Sequence, residues 1–237
     1  MTDLTRLKGA TIAFDLDGTL VDSAPDLIGT LNHLLAAQSI APLPLDQARP
    51  YIGHGARWLI ERGFSAQGHA VPTDQMDTLF ERFITHYNAH STDLTRPFPG
   101  VEQALSTLKD AGAKLVVCTN KRTALCPPIL EGLNLARYFS AVVGADAVPA
   151  AKPDARHLLA AIAAADGDPA RAVMVGDAAT DAGAARNAGV PLILVSFGYT
   201  ETPARDLAPD ILVDHFDQMV EACANLITAC SPNPAKL

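Results

Sequence analysis

Two aspartates stand two positions apart in the run Phe14-Asp15-Leu16-Asp17-Gly18-Thr19-Leu20, directly after the apolar stretch Ala10 to Phe14. In an extended chain, residues with that spacing project to the same side, so both carboxylates share one side at the end of a strand, and Gly18 permits a sharp turn just beyond. Like charges that close repel unless a divalent cation lies between them or a proton sits on one. Their roles divide accordingly. Asp15 stays ionised as a nucleophile; Asp17, with no metal bond from its side chain, holds a proton for a leaving oxygen and later activates a water. A strand cap or a calcium loop is the structural alternative for the same run.

Three further groups follow apolar runs. Leu115 to Lys121 ends in Thr119-Asn120, a hydroxyl and an amide that hold phosphoryl oxygens or, equally, cap a helix. Lys152-Pro153 supplies one compact cation suited to pairing with Asp15 and balancing a phosphoryl group; standing alone, it would be an ordinary solvated lysine. In Val175-Gly176-Asp177-Ala178-Ala179-Thr180-Asp181, Asp177 is placed to bind Mg²⁺ directly. Asp181, starting a helix, either holds a metal water and orients the ligands or simply complements the helix dipole. His86 and His90 share a helical face without an evident third ligand, so a solvated helix is the simpler reading. Trp58 packs among its neighbours, and Cys118 lies inside a buried run rather than acting as a nucleophile.

What positions these groups is an alternation of strand and helix. The runs Ala10 to Phe14, Lys114 to Cys118, Ala141 to Val143, Ala172 to Val175 and Pro191 to Val195 are continuously apolar, as in strands buried on both faces. Helical patterns at Val101 to Ala111, Ala155 to Ala165 and Asp181 to Ala188 lie between them. This predicts a doubly wound, Rossmann-like α/β core with a parallel sheet. From Ala24 to Thr95 only helical stretches occur, around Asp26 to Ala37, Ala56 to Arg62 and Gln75 to His90, with proline- and glycine-rich turns at the edges and inside. The expected division is a core over 1–22 and 96–230, an inserted helical cap over 23–95, and a frayed tail over 231–237.

The 237 residues, 49% hydrophobic and 19% charged, suffice for a well-buried core of this kind. A net charge of −8 disfavours nucleic acid and anionic membranes as partners; a small anion is still admissible where a metal or local cations reverse the sign. The four cysteines show no C-x-x-C spacing and no disulfide framework. No run reaches the length of a membrane span, about 18 apolar residues, and no signal segment is evident, so a cytoplasmic protein is expected.

The ordered set DLDGT, TN, KP and GDxxxD resembles the haloacid dehalogenase superfamily of phosphatases over nearly the whole chain. The resemblance implies Asp15 as nucleophile, Asp17 as acid and base, Thr119 and Lys152 on the phosphoryl group, and Mg²⁺ held by Asp15, Asp177 and the backbone carbonyl of Asp17, with Asp181 matching the second acidic position. Tyr51-Ile52-Gly53-His54-Gly55-Ala56, Phe98-Pro99-Gly100-Val101, Thr119-Asn120-Lys121 and Gly198-Tyr199-Thr200 are similar to the family's phosphoglycolate phosphatase branch. That implies a two-carbon acid phosphate as substrate in a monomer or homodimer. The Gly53 to Gly55 turn, opening a helix, offers backbone donors to the substrate carboxylate, helped by His54 and Arg57; a tight turn that merely needs glycine is the alternative. A phosphosugar mutase shares the core motifs, as does a sugar-phosphate phosphatase. Ala178 and Ala155 depart from the family, which often has serine and a second proline there.

Overall fold

A computed structural model describes residues 3–227; the expected tail over 231–237 lies outside the described residues. The chain enters through β1 (Thr11–Phe14), all four residues of which are buried, and turns through Asp15 to Leu20 into the short strand β2 (Val21–Asp22). Four helices follow: α1 (Ala24–Ala37), α2 (Leu45–Ala48), α3 (Ala56–Ala66) and α4 (Met76–His90). The chain returns through β3 (Arg96–Pro97), and the rest alternates: α5 (Val101–Asp110), β4 (Lys114–Thr119), α6 (Cys126–Gly132), β5 (Ala141–Gly144), α7 (Ala155–Ala164), β6 (Ala172–Gly176), α8 (Ala179–Ala188), β7 (Leu192–Val195), β8 (Ile211–Val213) and α9 (Met219–Leu226).

Six strands form one parallel sheet in the order β5-β4-β1-β6-β7-β8. Alternate side chains of each strand enter different cores. Ile12, Phe14, Leu115, Val117, Val173 and Val175 pack on one face with α5, α9 and the α1–α4 helices. Ala13, Val116, Cys118 and Met174 pack on the other against Leu158 and Ile162 of α7 and Ala182 and Ala185 of α8. Both faces are covered, which is why the strands read as unbroken apolar runs. Because β1 sits between β4 and β6, the chain reverses direction across the sheet at β1, leaving a crevice at the carboxyl ends of β1 and β6.

The α1–α4 unit is rooted on an antiparallel ribbon in which Val21 pairs with Pro97 and Asp22 with Arg96. Asp26, buried in the first turn of α1, clasps the returning strand: its carboxylate accepts from the N–H of Leu94 (3.0 Å), the N–H of Thr95 (2.8 Å) and the Thr95 hydroxyl (2.7 Å). The ribbon, α2, α6, α9 and β8 were not expected from the sequence. The strands among them are two or three residues long, too short to show a period.

Candidate active site

Asp15 is the first residue beyond β1, and its N–H donates to Val175 O of β6 at 2.9 Å, fixing the backbone where two neighbouring strands end. Gly18 turns the chain with φ of +84° and lets Thr19 fold back. The Thr19 hydroxyl donates to Asp177 Oδ1 (3.0 Å), while the Tyr199 N–H donates to Oδ2 (2.8 Å). Glycine is required around these acids. A Cβ on Gly18 would lie 2.5 Å from Asp177 Oδ2, one on Gly198 2.1 Å from Asp177 Cβ, and one on Gly176 2.3 Å from Asp181 Cγ.

Lys152, on the loop after β5, is buried with its ammonium 2.9 Å from Asp15 Oδ1 and 2.6 Å from Asp181 Oδ1. Burial alone would drive off its proton, but Asp15 and Asp181 outweigh that and hold it above the usual lysine range. His157 sets the backbone here, its Nδ1 accepting from the Lys152 N–H (3.1 Å) and its Nε2–H donating to Val143 O (3.1 Å). Burial lowers the proton affinity of His157, consistent with the neutral ring those two bonds require. Asp181 is fully engaged: Oδ2 accepts from the N–H groups of Asp177 (3.1 Å) and Ala178 (3.0 Å), so it caps α8 where Ala178 has no capping side chain. Asp181 thus joins the α8 terminus to Lys152.

Asp15, Asp177 and Asp181 bring carboxylate oxygens within 4.8 Å of one another, the one such grouping of metal-capable side chains among the described residues. Burial, partly offset by Lys152, raises Asp15 to about 6; burial together with Asp181 and Asp15 raises Asp177 well above the usual carboxylate range. Three buried carboxylates against one ammonium leave surplus negative charge with no bulk around it, and a small divalent cation with oxygen preference fits that surplus. Asp15 and Asp177 are the residues with oxygen lone pairs left for such an ion. Asp15 receives no well-aligned hydrogen bond on Oδ1, whereas Asp181 is spent on Lys152 and the α8 terminus.

Asp17 points elsewhere. Its Oδ1 accepts from the Ser23 hydroxyl, and its Oδ2 lies 3.0 Å from the ammonium of Lys121, which is itself bonded to the hydroxyl of Tyr87 at 3.0 Å. Burial opposes the charge on Lys121, but Asp17 outweighs it and keeps the proton on. Tyr87, whose hydroxyl is pushed up to about 12 by burial, belongs to α4, so this chain of contacts joins the α1–α4 unit to the acid pair. A cavity between the two is lined by Asp15, Asp17, Thr119 and Lys121 on one side and by apolar residues such as Ile52, Leu59 and Phe83 on the other.

The remaining candidates divide. Thr119 closes β4, buried, with its oxygen accepting from the Lys121 N–H (3.2 Å). Asn120 turns its amide nitrogen to Gly53 O (3.1 Å) and Lys152 O (3.0 Å), tying the turn before α3 to the lysine loop, and its Oδ1 is buried without a partner. Gly53 and Gly55 line the cavity with φ of +106° and +88°, so their backbone conformation is one that favours glycine. His54 borders a neighbouring recess beside Lys152 and Thr180, its ring 5.3 Å from that of Trp58. Arg57 pairs with Asp77 at 2.7 Å and lies 4.5 Å from the ring of Phe80, a residue that lines the cavity, but is not itself among the lining residues. Lys121, Tyr87, Tyr199 and His157 were not singled out as site residues; only the motif context of Lys121 and Tyr199 gave any signal. His86 has His33 stacked on it at 4.1 Å and His90 tilted against it at 4.4 Å, and the three do not converge as metal ligands among the described residues. Burial pushes the Cys118 thiol up to about 12, in keeping with an inert core cysteine.

Comparison with known proteins points the same way. The chain is 55% identical over 234 residues to a phosphoglycolate phosphatase of Caulobacter vibrioides, covering 98% of this chain and 99% of the relative. It is 48% identical over 209 residues to one of Agrobacterium fabrum, covering 88% and 90%. The crystal structure described as a predicted phosphoglycolate phosphatase from Haemophilus somnus 129PT superposes with a TM-score of 0.84 at 28% identity, covering 91% of this chain and 98% of that one. With the model of the haloacid dehalogenase-like hydrolases matching residues 12–195, the span from β1 through β7 that carries every acid of the site, the chain belongs to that family.

Proposed function

We propose that this chain is a phosphatase that transfers the phosphoryl group of a small phosphate monoester, 2-phosphoglycolate, to Asp15 and then to water. The observation that carries the reading is the meeting of Asp15, Lys152, Asp177 and Asp181 at the crevice between β1 and β6, with Asp17 held apart from them by Ser23 and Lys121. Asp15 forms the bond to phosphorus as the bond to the leaving oxygen breaks. Asp17 delivers a proton to that oxygen, then removes one from the water that attacks the aspartyl phosphate, so Asp15 is regenerated and phosphate released. Lys152 neutralises the entering oxygens and holds Asp15 in line. Thr119 offers its hydroxyl to the phosphoryl group, and the apolar wall of the cavity limits bulk water.

Asp15 and Asp177, with the backbone carbonyl of Asp17, are the groups that would hold Mg²⁺, which supplies charge neutralisation at the phosphoryl oxygens when bound. The substrate assignment draws on the similarity to the Caulobacter and Agrobacterium phosphoglycolate phosphatases. The test is phosphate release from 2-phosphoglycolate, with Mg²⁺ and after chelation, beside a panel of sugar phosphates and an Asp15→Asn control. Metal-dependent preference for 2-phosphoglycolate, lost in the control, supports the reading. Isomeric sugar phosphate formed without free phosphate, or activity retained by the control, refutes it.

A further inference from the structure

A phosphate ester that also bears a carboxylate brings a second anionic group to a crevice already holding Asp15, Asp17, Asp177 and Asp181, on a chain of net charge −8. A free cation would offset it better than neutral backbone donors, and most of the cations nearby are committed. Lys152 is shared between Asp15 and Asp181, and Lys121 is balanced by Asp17. Arg57 is paired with Asp77 at 2.7 Å, on the Phe80 ring but not among the residues that line the cavity.

Arg122 differs. It lines the cavity, and its guanidinium forms no hydrogen bond among the described residues. Its nearest carboxylate is Asp146, with Oδ2 3.6 Å from Nε, and that acid is already occupied through Oδ1 by the N–H (2.7 Å) and hydroxyl (2.8 Å) of Thr123. The guanidinium carbon lies 5.4 Å from the ring centroid of Phe80, a residue of α4 that lines the same cavity. Arg122 shares that ring with Arg57, at 4.5 Å, but of the two it is the one that lines the cavity, and its donor fork is unspent, the arrangement suited to bidentate capture of a carboxylate.

We propose that Arg122 is the specificity-determining residue of this site, receiving the carboxylate at the far end of the phosphate ester; the inference rests on the phosphatase reading above. It explains how the site can favour an ester with two anionic groups without a cation from Arg57. The adjacent Lys121 and Arg122 then divide two tasks, one holding Asp17 and the other reading the substrate.

The test compares the full-length enzyme with Arg122→Met, which keeps a stem over Phe80 and removes the charge. Steady-state hydrolysis with Mg²⁺ is measured for 2-phosphoglycolate and for 2-hydroxyethyl phosphate, which carries a hydroxymethyl group in place of the carboxylate. The ratio of the two kcat/KM values is expected to fall about 10- to 100-fold, chiefly through KM for 2-phosphoglycolate, as for loss of a charge-assisted hydrogen bond. Arg122→Lys, keeping charge but not the fork, should restore part of the ratio. An unchanged ratio, whether both activities fall together or neither does, overturns the inference while leaving the phosphatase reading intact. A parent enzyme that hydrolyses neither ester overturns both.

Discussion

Replacing Asp15 by Asn should abolish turnover and at the same time stabilise the metal-free protein. Asp15 is 6% exposed, and burial raises its proton affinity from the ordinary 3.8 to about 6 despite Lys152 at 2.9 Å. A carboxyl group that binds its proton more tightly folded than unfolded contributes stability in full below about pH 4; that contribution is lost as the pH rises through 6. At about 1.4 kcal/mol for each factor of ten in proton affinity, the charged form costs about 3 kcal/mol at pH 8 and roughly half of that at pH 5. Asparagine carries no such cost, and Lys152 keeps Asp181 as its partner at 2.6 Å. The variant should therefore melt roughly 6–12 °C higher than the parent at pH 8 in a chelator, with the gap shrinking toward pH 5 and on adding Mg²⁺ to the parent. Thermal unfolding of both proteins at the two pH values, with and without Mg²⁺, checks it. A variant no more stable than the parent at pH 8 without metal would refute the argument that Asp15 sits in surplus negative charge.

Gly198→Ala places a Cβ 2.1 Å from Asp177 Cβ, so it should cost about 1–3 kcal/mol in urea unfolding and weaken Mg²⁺ binding about tenfold or more by calorimetric titration. Asp26→Ala strands the N–H groups of Leu94 and Thr95 at the root of the α1–α4 unit and should lower stability by about 2–4 kcal/mol, measured by urea unfolding. Asn120→Ala cuts the ties to Gly53 O and Lys152 O; kinetics on 2-phosphoglycolate should show kcat falling and KM rising together, each by about tenfold, since turn and lysine lose a common anchor.

The sheet was legible because a parallel sheet covered on both faces leaves an unbroken apolar run in the sequence, as in Ala10 to Phe14 and Ala172 to Val175. Asp15, Thr119 and Asp177 could each be placed at a strand end because the run stops beside them. β8 carries only the three apolar residues Ile211 to Val213 between two aspartates, partly exposed at the sheet edge, and the two-residue ribbon under α1 had no room for a run.

Which groups are present for phosphoryl chemistry, and that each follows a buried strand, could be read from local composition alone. Their use depends on contacts between distant segments. Strand order sets β1 against β6 and so brings Asp177 to Asp15, a neighbour relation between segments far apart in the chain that no local pattern encodes. Packing of α4 over the crevice gave Lys121 its second partner in Tyr87. Packing set Arg57 against Asp77 and Phe80 and put Arg122 on the cavity wall, because where a long cation points depends on which oppositely charged or aromatic group the fold sets within its reach.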